Sequence, residues 1–134
     1  MHLEFDQSLL TGNDMIDTQH RELIAKIDDL LSFCEESKEK VKAIQILGYL
    51  AEYTEFHFAA EEKLQEEISY PAIDAHKAKH IEFKKAIEEL HDMLEDEEGP
   101  TPAFVSAVRT NVVKWLFEHI QKMDRDLADY VKAN

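Results

Sequence analysis

Ile73-Asp74-Ala75-His76-Lys77-Ala78-Lys79-His80-Ile81-Glu82-Phe83-Lys84-Lys85-Ala86-Ile87-Glu88-Glu89-Leu90-His91-Asp92-Met93-Leu94 is the stretch that decides the fold. Ile73, His76, His80, Phe83, Ile87, Leu90 and Leu94 recur at steps of 3, 4, 3, 4, 3 and 4 residues. That is the period of a helix that buries one seam in a bundle. The sequence on either side predicts three more such helices. A first is expected from about Met15 to Glu36, with Ile16, His20, Leu23, Ile24, Ile27, Leu30 and Leu31 on one face. Asp14 is its expected cap, with Asp17 in the first turn near the positive end of the helix dipole. A second is expected from about Lys40 to Glu67, with Leu47, Leu50, Thr54, His57, Glu61, Leu64 and Ile68 near one face. Ser69-Tyr70-Pro71 breaks it, and Pro71 suits the first turn of the third helix. A fourth should start near Pro102 under a Thr101 cap and run through Val105, Val108, Val112, Leu116, His119 and Met123 to about Val131. Three Gly and three Pro in 134 residues leave little room for a turn-rich β fold. The expectation is an all-α, up-down-up-down antiparallel four-helix bundle with an N-terminal arm, forming one domain over residues 1–134.

Composition narrows the function classes. Hydrophobic residues make up 44% and charged residues 33%, the balance of a globular chain with a core. The net charge of −14 argues against nucleic acid and anionic membrane surfaces as partners, since phosphate binding needs a basic patch. The single cysteine, Cys34, cannot form an internal disulfide, so nothing points to an oxidising compartment. Met1–Leu10 lacks a basic region followed by an apolar run, and no stretch approaches the length of a membrane span. A cytoplasmic, free-standing chain is the expectation.

The chemistry lies in what interrupts the apolar faces. His20 sits in the first stripe, His57 and Glu61 in the second, His76 and His80 in the third, and His119 in the fourth with Asp124 just beyond. A lone core histidine is usually a hydrogen-bonded structural residue. Seven inward polar groups at once would need many mutual partners, because a buried polar group without one is costly. Shared metal ions satisfy them together. The pairs His57/Glu61 and His76/His80 are four residues apart, so each lies on one helix face and can reach one metal or a metal pair. His119 and Asp124 are five apart, which puts Asp124 on the flank of an ideal helix. Either its side chain reaches inward or the helix carries a local irregularity such as a π-bulge. With two metals and bridging carboxylates, five imidazoles, Glu61, Asp124 and an oxo or hydroxo bridge fill all but one position of two octahedral ions. Imidazole suits Fe, Zn, Cu or Ni and does not fix the metal. A set dominated by neutral imidazole favours a reversible diferrous state over the highly oxidised iron that carboxylate-rich sites stabilise.

In this pattern the chain resembles the hemerythrin family over nearly its whole length. The resemblance rests on His20, on His57-Phe58-Ala59-Ala60-Glu61, on His76-Lys77-Ala78-Lys79-His80, and on His119-Ile120-Gln121-Lys122-Met123-Asp124. It implies two non-heme iron ions, oxo- or hydroxo-bridged. His76, His80 and His119 would hold one iron, His20 and His57 the other, and Glu61 and Asp124 would bridge. It implies reversible O2 binding at the His20/His57 iron, for storage, transport or sensing, in a pocket lined by Phe58, Trp115, Leu116 and Ile120. Those four are equally at home as ordinary core. Many bacterial members carry a tryptophan in the N-terminal arm, where Phe5 is the nearest aromatic here. A monomer without enzymatic activity is the expectation.

Other residues carry blander expectations. His2 is near the terminus, His91 is too far along its helix to join the cluster, and Cys34 should be a small buried hydrophobe. Tyr53, one turn before His57, could partner a ligand nitrogen or simply fill core. Three functions compete with O2 binding: a di-iron oxidase or peroxidase, iron handling, and a metal-free bundle that uses its acidic faces for partners.

Overall fold

Helix α1, Asp14–Glu36, begins where the Asn13 side chain turns back to accept from the Ile16 amide. Asn13 is therefore the cap, and Asp14, expected in that role, is the first helical residue. Asp17 does more than complement the dipole. Its buried carboxylate accepts from the Thr11 hydroxyl and from the amides of Thr11 and Gly12, fastening the arm to α1. In this computed structural model residues 3–133 are described, so His2 lies outside the described residues.

Helix α2 spans Lys40–Glu67 and α3 spans Ile73–Asp96. Between them Ser69 takes a left-handed φ of 53°. Pro71 stays in this turn rather than entering the helix, which starts two residues later under Ala72 without a side-chain cap. Helix α4 is a continuous helical run over 102–133, and Thr101 caps it by accepting from the Phe104 amide. Within it, Arg109–Lys114 and Ile120–Asp124 are π-helical.

Each helix packs on the next in sequence, and α4 closes the ring against α1. Short links join them, as in an up-down-up-down bundle. The interior is layered along the bundle axis. One large apolar cluster includes Leu30, Leu31, Leu47, Leu50, Leu90, Leu94, Phe104 and Val108. A smaller one, Ile16, Tyr70 and Leu127, fills the other end. The buried polar side chains of the middle turns lie between them. The arm, with a 3-10 turn at Gln7–Leu9 and Leu9 fully buried, crosses α1 and α4. Arg125 of α4 donates to its Ser8 and Leu10 carbonyls.

The α4 core face differs from the expected one. Phe104, Val108, Val112, Leu116, Ile120, Asp124 and Ala128 are buried, one every four residues, while Val105 and Met123 are only half-buried. A regular helix would carry a strict four-residue repeat steadily around its axis. Two π segments insert about one residue each, so the span from Phe104 to Ala128 makes about six turns for six steps. Underwinding thus keeps the stripe on the core.

Candidate metal centre

All seven expected ligands converge in that middle layer and are buried: His20, His57, Glu61, His76 and His80 at 0% exposure, Asp124 at 1% and His119 at 5%. α1 supplies His20, α2 His57 and Glu61, α3 His76 and His80, and α4 His119 and Asp124. The two α-helical pairs meet the centre because four residues return a side chain to the same face. The five-residue pair meets it because Ile120–Asp124 is π-helical. The i to i+5 winding brings Asp124 under His119, with Oδ1 3.2 Å from His119 Nε2. This resolves the alternative left open by the sequence in favour of a π segment.

The donors form two groups, Glu61/His76/His80/His119/Asp124 and His20/His57/Glu61/Asp124, each with its ligand atoms within 4.8 Å of one another. Only the carboxylates belong to both, and each divides its oxygens between them. Glu61 Oε2 lies 3.7 Å from His20 Nε2 and 3.4 Å from His57 Nε2, while Oε1 lies 3.1 Å from His80 Nε2 and 3.8 Å from His76 Nε2. Asp124 Oδ2 lies 2.9 Å from His20 Nε2, and Oδ1 is 2.8 Å from His76 Nε2. Two donors about 2.1 Å from a common ion and at right angles sit about 3 Å apart, which is the scale of these contacts.

Hydrogen bonding within the protein does not satisfy the cluster. Both nitrogens of His20, Nε2 of His57 and His80, both Glu61 oxygens and Asp124 Oδ2 are buried without a partner. Several lie 2.9 to 3.8 Å from an opposite group without forming a hydrogen bond. So many orphaned atoms are expensive in a core unless a cation gathers them. The donor set therefore fits metal ions.

The electrostatics agree. Burial, reinforced by the charge of His20, pushes His57 down to about 3. Burial and the neighbouring His76 push His80 down to about 2. Both imidazoles are thus neutral and free to donate lone pairs. Burial and the adjacent Asp124 push Glu61 well above the usual carboxylate range. Burial alone would raise Asp124 too, but His119, His20 and His76 outweigh it and hold Asp124 well below that range.

Partners for the outer ring nitrogens were not singled out in the sequence. His57 Nδ1 meets Gln19 Oε1, His76 Nδ1 meets the Gln65 amide, and His80 Nδ1 meets Glu62 Oε2, each at 2.8 Å. A metal on His76 Nε2 requires the proton on Nδ1, so Gln65 must then turn Oε1, otherwise unpartnered, toward it. Gln65 was legible as the residue one turn after Glu61 on the same face. Gln19 and Glu62 carry only the weaker signal of adjacency to His20 and Glu61. Tyr53 is not the His57 partner; it packs by Phe56 under the Lys26 ammonium. His91 is at the surface beside Glu95, and Cys34 is buried with its thiol pushed up by burial.

Two of the four expected apolar residues stack on ligand histidines. Phe58 stacks on His80 with centroids 3.7 Å apart, and half-buried Trp115 stacks on His119 at 4.6 Å. Leu116 and Ile120 are fully buried in the large apolar cluster. A surface cavity of about 250 Å³ opens beside Trp115 and His119, rimmed by Lys79, Glu82 and Lys122.

Residues 11–131 match the hemerythrin HHE cation binding domain family. The chain belongs to the hemerythrin family. It is 34% identical over 132 residues to a bacteriohemerythrin of Stenotrophomonas maltophilia, covering 98% of this chain and 83% of that one. It is 30% identical over 131 residues to a bacteriohemerythrin of Pseudomonas aeruginosa, covering 98% and 82%. A myohemerythrin of Riftia pachyptila is 28% identical over 120 residues, 90% of this chain and 86% of that one. A hemerythrin cation-binding site accounts for a layer of buried histidines and carboxylates that the fold alone would not tolerate. Among the described residues, no helix of this hemerythrin is long and apolar enough to cross a membrane.

Proposed function

We propose that this hemerythrin holds two iron ions and binds O2 reversibly as one domain over residues 1–134. The observation that carries the reading is the division of the Glu61 and Asp124 oxygens between a three-histidine and a two-histidine group. In this reading His76, His80 and His119 hold one ion, His20 and His57 the other, and Glu61 and Asp124 bridge. Iron held there would supply the electrons for binding O2. The protein supplies the rest. Five imidazole ligands would favour the ferrous state, because imidazole adds no anionic charge to stabilise ferric iron. Gln19, Gln65 and Glu62 fix the ring tautomers so that Nε2 faces inward. Phe58, Leu116 and Ile120 exclude water from the histidines, and Trp115 covers the His119 face. A dry surround would slow loss of the ligand in reduced form, which would leave the metals oxidised.

The test is the visible absorption spectrum of the iron-loaded, reduced protein before O2, after O2 and after degassing. A charge-transfer band that forms with O2 and fades on degassing is the expected result. Colour that forms and does not reverse would instead mark an oxidase. Failure to take up iron would end the di-iron reading.

A further inference from the structure

The partners of the outer nitrogens differ in charge. Gln19 and Gln65 offer neutral amides to His57 and His76, whereas Glu62 offers a carboxylate to His80 at the same 2.8 Å. His20 Nδ1, fully buried, has no partner at all. The three-histidine side therefore has one anionic and one neutral support, and the two-histidine side has one neutral support. A carboxylate that accepts the Nδ1 proton draws the ring toward imidazolate and makes Nε2 a stronger donor. The hydrogen bond positions the ring in either case, but only the charge changes its donor strength. Glu62 is well placed to do both, since its neighbour Glu61 faces the cluster while its own side chain, 26% exposed, reaches His80 from the outside.

We propose that Glu62 is a positioning residue that, through His80, tightens the His76/His80/His119 side beyond what its extra histidine supplies, making it the first of the two metal sites to fill. The proposal rests on the two-metal reading above and adds an order of filling to it. Metal-free protein titrated with Co(II) against a competing chelator, followed by visible absorption, reads it without O2 chemistry. The expected wild-type result is uptake of two equivalents. Glu62→Gln keeps the acceptor and removes the charge, and it should weaken the tighter site about 10- to 100-fold, leaving the other unchanged. Gln19→Glu places the same charge behind His57 and should tighten the weaker site about tenfold or more. If the two steps merge, the product of their constants moves by the same factors. The paramagnetically shifted ring N–H resonance that Glu62→Gln displaces should be a single one, that of His80. Glu62→Gln binding Co(II) like the wild type, or equal weakening of both sites, overturns the proposal while leaving the two-metal reading intact. No Co(II) uptake by the wild type overturns both.

Discussion

Helices α3 and α4 each bring two polar groups to the same buried layer, and they do so by different windings. α3 is regular: His76 and His80 are four residues apart within an unbroken α-helix. α4 places His119 and Asp124 five apart and reaches the same layer only because Ile120–Asp124 is π-helical. The second winding is held from outside. Arg125, directly after the π segment, is tied to the Ser8 and Leu10 carbonyls of the arm, and Gln121 within it donates to the Ser8 hydroxyl. A regular helix needs no such support, because α winding is the one the backbone prefers and π winding is rare. A ligand on a regular helix can therefore be read from spacing, whereas a ligand on an underwound one depends on what packs against it.

Single-residue deletions test this contrast most severely. Deleting Ala78 rotates everything after it in α3 by about 100°, so the core face before the deletion and the one after it can no longer both meet the bundle axis. It should abolish cooperative melting and metal uptake. Deleting Gln121 should be absorbed by conversion of the π segment to α-helix, with the residues beyond keeping their faces. That variant should retain its helical circular dichroism and lose only a few degrees of melting temperature. Equal damage from both deletions would refute the comparison.

His80→Ala should cost the metal-loaded protein about ten degrees or more in melting temperature, since metal affinity adds to folding free energy. The metal-free protein should lose less, because the stack on Phe58 and the bond to Glu62 go but an orphaned buried nitrogen goes with them. Melting curves with and without metal check both halves, and an equal loss in each would contradict metal binding there.

The metal-free protein should also be acid-sensitive. His57 and His80 are depressed to about 3 and 2 when folded, so they stay neutral there while the unfolded chain takes up protons near pH 6.5. Stability is then complete above about pH 6.5 and falls as pH drops toward 3. Urea melts of metal-free protein at a series of pH values measure this, and a flat profile across that window would contradict it. The smallest effect concerns how the two helices begin. Thr101→Ala should cost α4 about 1 kcal/mol through its lost cap, whereas Ala72, the corresponding residue of α3, makes no side-chain bond to lose.

The heptad steps of α3, the scarcity of glycine and proline, and the seven inward polar residues determined the bundle, its number of helices and the membership of the candidate site. Apolar periodicity is a local property, and a polar residue in an apolar stripe stands out against it. Tertiary structure decided what that signal does not contain. It put Asn13 rather than Asp14 at the α1 cap and left Pro71 outside α3, because helix ends depend on which side chain finds the first free amide. It moved the α4 core face from Val105 and Met123 to Phe104 and Asp124, because packing selected an underwound helix over a regular one. It chose Gln19, Gln65 and Glu62 as partners of the outer nitrogens, contacts that join different helices in all three cases and leave no period along the chain. Above all, it divided the oxygens of Glu61 and Asp124 between two groups of histidines, since that depends on where four helices stand relative to one another.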